Sequence, residues 1–165
     1  MNIALEIEDV AFAQYVPQFA RLKCRSTGAQ KAGKRYEAQA LQYLSKTYAN
    51  FIPLPWLMYK LKGEDQYRFC QPDGIIVDFL SGYVWVIECK IKHVSIAITK
   101  LRDLYLPLLR ELFPKTLWKL IGVEFTRSFD CAVKVPVKEC IVSFDMLLPK
   151  TDFGIMVWTP PKKLH

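Results

Sequence analysis

The chain lacks the cysteine patterns of a zinc site or a secreted disulfide framework. Its five cysteines are odd in number, widely spaced and contain no C-x-x-C pair, which argues against both kinds of site. A chain of 165 residues does not need such cross-links, because a domain of this size buries roughly two thirds of its unfolded surface. We therefore expect one domain over residues 1–165, in a reducing cytoplasm.

Long apolar runs and a signal sequence are also missing. No stretch approaches the about 18 apolar residues that a membrane-spanning helix needs, and the N-terminal MNIALEIEDVAF carries acids where a signal peptide would carry positive charge. The sequence has no P-loop, no G-x-S-x-G elbow and no H-E-x-x-H helix. These absences exclude P-loop NTPases, elbow-type hydrolases and zinc peptidases. The sequence thus predicts no membrane partner and no export.

Acidic residues are absent from residues 10–36. The whole chain has 23 Lys+Arg against 16 Asp+Glu, a net charge of +7, which favours a polyanionic partner. The basic residues of the acid-free segment form either a solvated surface or an arm that contacts phosphates and leads into a helix N-terminus. These basic residues are Arg21, Lys23, Arg25, Lys31, Lys34 and Arg35.

Residues 71–93, QPDGIIVDFLSGYVWVIECKIKH, predict two β-strands joined by a tight turn at residues 78–83. Alternation in the second strand places Glu88 and Lys90 on one face and Cys89 on the other. This strand is rich in Val, Ile and Trp and should be buried. A buried carboxylate or ammonium costs on the order of several kcal/mol unless it is paired or bound to a metal, so these two residues need partners.

Pro72-Asp73, followed on the next strand by Glu88-Cys89-Lys90, resembles the PD-(D/E)xK nuclease superfamily. That superfamily includes type II restriction enzymes, Holliday junction resolvases and many phage nucleases. The resemblance implies an α/β fold with a central mixed β-sheet flanked by helices, and a restriction-endonuclease-like core in the order α-β-β-β-α-β. That core would span residues 31–125. The alternative is an accidental match on an ordinary α/β domain.

The first helix is predicted over residues 31–49. Stepping back from Leu41 by helical spacing reaches Gly33 and Glu37, so Glu37 should point toward the core. Glu37 is then either a snorkelling or salt-bridged residue or a third acid of the site, since Gly33-x-x-x-Glu37 resembles the first-helix motif of the resolvase branch. The apolar stripe of this helix is Ala40, Leu41, Leu44 and Tyr48.

The hydrophobic pattern also predicts the remaining elements. Pro107 should kink or split the second helix near Asp103. A helix between two strands predicts parallel pairing of the Glu88 strand with the strand that follows the helix. Apolar residues near the C-terminus belong either to the edge of the core or to a homodimer interface. The predicted elements are a segment at 51–61 in which prolines give way to a strand, a turn at 63–65, a strand through Asp73, a helix at 94–113, a buried strand at 117–125, a loop at 131–136, a strand at 138–148 and a strand at 153–158.

The resemblance implies hydrolysis of DNA phosphodiester bonds with Mg²⁺ or Mn²⁺ as cofactor. A hard divalent cation can activate water, stabilise the phosphorane and help the 3′ oxygen leave, and it needs only a few oxygen ligands from the protein. The implied metal ligands are Asp73, Glu88 and the backbone carbonyl of Cys89, with Glu37 as a further acid. Lys90 would orient or help deprotonate the attacking water, or simply pair with an acid. The Cys89 thiol is expected to be a small buried hydrophobe.

Duplex or branched DNA, such as a recombination intermediate, is the expected partner. Lys100 and Arg102 either extend the basic surface or are ordinary solvated charges. Tyr105 resembles part of the QxxxY element of the exonuclease branch, but Leu101 stands where the glutamine would be. Alternative functions are a non-catalytic nucleic-acid-binding module and an RNA-processing nuclease. The expected nucleic-acid contacts are Lys31, Lys34, Arg35, Arg25, Lys92 and His93, although His93 could also merely end its strand.

Overall fold

The computed structural model describes residues 5–21, 27–92, 95–128 and 153–161. The protein has a mixed α/β architecture with two β-sheets, and none of its described helices is long and apolar enough to cross a membrane. In chain order the elements are β1 (Ile7–Phe12), a short 3-10 helix (Gln18–Arg21), α1 (Gly28–Thr47), β2 (Phe51–Pro53), β3 (Leu57–Leu61), β4 (Arg68–Cys70), β5 (Gly74–Asp78), β6 (Tyr83–Lys92), α2 (Ser95–Lys100), a π-helical turn (Leu101–Tyr105), α3 (Leu106–Leu112), β7 (Lys119–Ser128) and β8 (Phe153–Val157).

The larger sheet has five strands in the order β2-β5-β6-β7-β8. Strands β2, β5 and β6 pair antiparallel, whereas β6, β7 and β8 pair parallel. The chain passes from β6 to β7 through α2 and α3. The mixed sheet, the hairpin between β5 and β6 and the parallel pairing after the helical segment were all predicted, and all are confirmed.

Two hydrophobic clusters cover the opposite faces of this sheet. One contains α1 residues together with Ile87 and Cys89 of β6. The other contains α3 residues together with Val84 and Val86 of β6. The predicted alternation of β6 is therefore confirmed, and so is the inward-facing stripe of α1, in which Ala40 and Leu44 are completely buried. Tyr36 joins that stripe.

Helix α1 begins three residues earlier than predicted. The hydroxyl of Thr27 accepts a hydrogen bond from the Gln30 N–H at 3.4 Å, and the Gln30 amide oxygen accepts one from the Thr27 N–H at 2.9 Å. This reciprocal capping box satisfies N–H groups that a helix N-terminus leaves open. The predicted second helix is split, as expected, because Pro107 lies at the start of α3 directly after the π-helical turn.

The strand predicted to follow the prolines of residues 51–61 is present as β3, whereas the short strand β2 before them was not predicted. β2 pairs with β5 in the larger sheet, whereas β3 lies between β1 and β4 in a separate three-stranded sheet. Pro53, Pro55 and the positive backbone angle of Leu54, φ 47°, break the run, since proline lacks the N–H that a continuous ladder requires.

The strand predicted through Asp73 is also interrupted. β4 belongs to the three-stranded sheet and β5 to the larger one, and Asp73 lies directly before β5. The predicted strand at 117–125 is present as β7, shifted toward its C-terminal end, and the strand at 153–158 is present as β8. The loop and strand predicted at 131–136 and 138–148 lie outside the described residues.

Candidate active site

The candidate site lies where β6 continues beyond the end of its partner β5. The last residue pair of these two strands joins Gly74 to Ile87, and beyond it β6 keeps only its parallel partner β7, with which it pairs from Tyr83 onward. Just beyond that pair, the Asp73 N–H donates to the Ile87 carbonyl at 3.0 Å, and Asp73 Oδ2 accepts from the Cys89 N–H at 2.5 Å. The carboxylate thus takes the place of a strand partner for a backbone N–H that would otherwise lack an acceptor. This hydrogen bond holds the Asp73 side chain beside Cys89 and its neighbours in β6.

Glu88 is the most buried acid of the predicted set, with 1% of its surface exposed. Its Oε1 accepts from Lys90 Nζ at 2.6 Å and from Lys100 Nζ at 3.1 Å. Its Oε2 has no hydrogen-bond partner within the described part of the chain. Because an unsatisfied buried carboxylate oxygen is unfavourable, Oε2 is an open acceptor for a further positive group.

Lys90 connects Glu88 to the predicted backbone ligand. Its Nζ donates to Glu88 Oε1 at 2.6 Å and to the Cys89 carbonyl oxygen at 3.0 Å. Burial favours the neutral amine, but the hydrogen bond and charge of Glu88 outweigh it and raise the pKa of Lys90. One ammonium therefore contacts two of the predicted metal ligands, which shows that both oxygens face a common cationic position.

The other two acids of the site are electrostatically coupled to this pair. Burial, followed by the charge of Glu88, raises the pKa of Asp73 to about 7 against the opposing effect of the Cys89 N–H. Burial also raises the pKa of Glu37, which Lys90 lowers and Glu88 raises further. The structure therefore clusters Asp73, Glu88 and Lys90 around residues 88–90 of β6, and Glu37 of α1 lies within electrostatic range of Glu88 and Lys90.

The predicted nucleic-acid contacts divide into described and undescribed residues. The basic side chains of the first turns of α1 are exposed, and Lys34 is close enough to Glu37 to lower its pKa. Lys92 is exposed at the end of β6. Arg25 and His93 lie outside the described residues. The exposed cations of α1 are Lys31, Lys34 and Arg35.

Sequence reasoning missed the role of Lys100, which it treated either as part of a basic surface or as an ordinary solvated charge. Lys100 comes from α2 and approaches the same Glu88 oxygen as Lys90. Helical spacing offered a signal, since Ala97 and Leu101 are buried and Lys100 lies between them in sequence, one turn after Ala97.

Glu124 was also missed. It is completely buried on β7 and stands opposite Glu88 in the parallel register of β6 and β7. Directly paired residues on neighbouring strands point to the same face of a sheet. Aligning the two predicted strands so that their glutamates match would have found it.

The Tyr105 hydroxyl makes its hydrogen bond to the backbone and not to the acids of the candidate site. It donates to the Gln71 carbonyl at 3.0 Å, and burial followed by the charge of Glu88 raises its pKa, so it remains a protonated donor. This bond ties the π-helical turn to the segment that leads into Asp73.

The donor set suits a hard divalent cation. No group of three or more His, Cys, Asp or Glu side chains forms a ready metal cage among the described residues. The oxygens of Asp73 and Glu88, with the Cys89 carbonyl, nevertheless match what Mg²⁺ requires, because that ion keeps several waters and needs only one or two carboxylates. The open Oε2 of Glu88 provides a position for it. The Cys89 thiol is buried, which raises its pKa. Because a thiol binds metal as the thiolate, this burial disfavours the Cys89 sulfur as a ligand.

Comparison of the chain with protein-family models, with curated proteins and with solved structures found no match. The chemistry of the site therefore follows from its own residues. Three acids and two ammonium groups at the open edge of a strand can hold a divalent cation and present positive charge to an anionic substrate.

Proposed function

We propose that the protein is a divalent-metal-dependent nuclease that hydrolyses phosphodiester bonds of DNA. One observation carries the proposal: Asp73, Glu88 and Lys90 meet at the open edge of β6, where Glu88 keeps one buried oxygen without a partner among the described residues. A purely structural ion pair would leave no reason for that open acceptor, because buried polar atoms are normally satisfied.

The roles of the residues follow from their contacts. Asp73, Glu88 and the Cys89 carbonyl would hold Mg²⁺ or Mn²⁺, with Glu37 as a nearby fourth oxygen donor. Bound there, the cation would polarise the phosphate and lower the pKa of a water molecule. Lys90 contacts Glu88 and the Cys89 carbonyl, and its ammonium would orient the attacking water and neutralise charge on the phosphorane.

The order of elements supports a restriction-endonuclease-like core. The elements of the larger sheet and its helices follow the order α1, β2, β5, β6, α2 with α3, and β7. This is the expected α-β-β-β-α-β order once β3 and β4 are regarded as an insertion and β1 as an addition before the core. Glu37 lies in α1, Glu88 lies in β6, and Asp73 directly precedes β5.

The surface of α1 supports DNA as the substrate. The first turn of α1 contains no acid, and exposed cations follow on the helix that also carries Glu37. Phosphates are favoured at such a helix N-terminus because its N–H groups and its dipole attract anions. The scissile strand would therefore approach the site along the beginning of α1.

The test is a cleavage assay on linear, nicked, single-stranded and four-way DNA and on RNA, with Mg²⁺, Mn²⁺ or EDTA. The parent should cut DNA only with metal. Asp73→Ala and Glu88→Ala should each lose roughly 100-fold or more of the rate, while DNA binding stays largely intact. Asp65→Ala, which removes an exposed acid, is the matched control and should cut like the parent.

Several outcomes would contradict the proposal. Folded Asp73→Ala and Glu88→Ala variants that cut as fast as the parent would show that the site is wrongly assigned. A parent that binds DNA but cuts nothing would favour a non-catalytic binding module. Cleavage of RNA alone would move the assignment to RNA processing.

A further inference from the structure

A second, cationic cleft lies away from the candidate active site. It has a volume of about 640 Å³ and lies between the helical segment and the start of β7. Four of its nine lining residues are basic, and none is acidic. The basic residues are Arg102, Arg110, Lys115 and Lys119.

The floor of the cleft is apolar and carries an aromatic ring. Leu106, Leu120 and Phe153 line it together with Trp118. The indole is held in place, because its ring packs edge-on against both Phe113 and Phe79, each at 5.5 Å between ring centroids, while part of its surface stays accessible. A planar group can stack on such a ring, and stacking tolerates any base.

Two of the four cations of the cleft have partners among the described residues. Arg110 Nη1 donates to the Trp118 carbonyl at 2.9 Å and to the Phe113 carbonyl at 3.3 Å, which fixes both the guanidinium and the turn that carries the indole. Arg102 pairs with the neighbouring Asp103. No ion pair joins Lys115 or Lys119 to an acid in the part of the chain that the structure describes. Both ammonium groups can therefore pair with an anionic ligand without first giving up an acidic partner in the described part of the chain.

The cleft is separate from the acids of β6. Lys119 stands opposite Tyr83 at the start of the parallel pair, and Glu124 stands opposite Glu88 five residues further along. At a rise of about 3.3 Å per residue, this corresponds to roughly 17 Å along the sheet. A phosphate group bound at Lys119 is therefore too far from the acids of the candidate active site to contact them as well.

We propose that this cleft binds the phosphate and base of a nucleotide unit, with the phosphate on Lys115, Lys119 and Arg110 and the base against Trp118. The unit can be a free nucleotide or part of a single strand, since both present the same chemistry. The proposal does not depend on nuclease activity, because it rests on residues outside the candidate active site.

The experiment is a fluorescence and calorimetric titration in EDTA, so that metal bridging cannot contribute. The probes are inorganic phosphate, adenosine triphosphate, a short oligothymidylate and polyglutamate. We expect saturable tryptophan quenching by the nucleotide or the oligonucleotide, and weaker binding of phosphate and polyglutamate without quenching. Tighter binding of adenosine triphosphate would assign a free nucleotide, and tighter binding of the oligothymidylate would assign a strand segment.

Two variants and a control complete the test. Lys115→Gln combined with Lys119→Gln should weaken binding roughly tenfold or more, as expected for the loss of charge-assisted hydrogen bonds. Trp118→Phe should lose most of the quenching. Lys46→Gln combined with Lys62→Gln removes the same charge from exposed positions elsewhere and should bind like the parent.

The proposal is overturned if neither nucleotide probe binds, if polyglutamate binds as well as they do, or if the cleft variant weakens binding no more than the control variant. Quenching that survives in Trp118→Phe would also overturn it, because the base would then lie near another tryptophan.

Discussion

Replacing Asp73 by asparagine should make the metal-free protein more stable above neutral pH. The amide keeps the shape of the side chain and an oxygen that can accept the Cys89 N–H, but it removes a charge that is largely buried. Burial, followed by the charge of Glu88, raises the pKa of Asp73 from 3.8 to about 7. The ionised carboxylate is therefore unfavourable in the folded protein without metal.

The magnitude follows from this shift. Each pKa unit corresponds to about 1.4 kcal/mol, so a rise from 3.8 to about 7 corresponds to at most about 4.5 kcal/mol. Local relaxation and water entry reduce this figure, and we expect a gain of about 1–3 kcal/mol, or several degrees in Tm for a chain of this size.

The pH dependence has a definite sign. Because the pKa of Asp73 is higher in the folded state than in the unfolded state, its contribution to stability is fully present below about pH 4 and is lost as pH rises through about 7. The advantage of Asp73→Asn should therefore be largest above about pH 7 and disappear in acid. Thermal melts of both proteins in EDTA across this range measure it, and added Mg²⁺ should raise the Tm of the parent only.

Asp78→Asn at the other end of β5 is the matched control. The Asp78 carboxylate accepts from the Leu80 N–H at 3.0 Å and from the Ser81 N–H at 3.3 Å, and the Ser81 hydroxyl is the first cause that lowers its pKa. Asparagine there should destabilise the protein at neutral pH, with a smaller effect in acid. If Asp73→Asn behaves like Asp78→Asn, or if its effect does not change with pH, the reasoning about a desolvated Asp73 is wrong.

Three further predictions concern the same region. Lys100→Met should strengthen Mg²⁺ binding several-fold in calorimetry, since it removes an ammonium from Glu88 Oε1. The control variant Arg102→Met should bind Mg²⁺ like the parent. Weaker Mg²⁺ binding by Lys100→Met would show instead that Lys100 holds Glu88 in place. Glu37→Gln should slow metal-dependent cleavage by roughly 10- to 100-fold without destabilising the metal-free protein, and marked destabilisation at unchanged activity would refute a catalytic role. Alanine at the exposed cations of α1 should lower the slope of log affinity against log salt by about 0.9 per lost phosphate contact, and an unchanged slope would mark them as plain surface charges. These cations are Lys31, Lys34 and Arg35.

The β5–β6 hairpin and its two faces were predictable because their signals are local. A period of two in residues 83–92, with a turn just before them, determines which side chains share a face. The same argument places Glu88 and Lys90 together, and their 2.6 Å contact is the direct result. The parallel pairing with β7 needed only one additional rule. A helix between two strands of one sheet returns the chain to the end where the first strand began, so the second strand runs parallel to it.

The three-stranded sheet was not predictable in this way. β3 and β4 are short, and β3 has β1 as its other neighbour, some fifty residues earlier in the chain. The two prolines within residues 51–61 mark the break between β2 and β3, but no local signal indicates that these two strands pair in different sheets. The decision depends on a long-range partner, which local periodicity does not reveal.

The same distinction separates the residues of the candidate site. Asp73, Glu88 and Lys90 belong to one hairpin, so a short sequence pattern can contain all of them. Lys100 reaches Glu88 only because α2 turns back over β6, and Glu124 stands beside Glu88 only because the register of β6 and β7 aligns them. Since paired residues of parallel strands share a face, the side of the sheet that packs against α2 and α3 contains two buried glutamates, not one. The charge that a bound cation would meet is therefore determined by the strand register as well as by the hairpin motif.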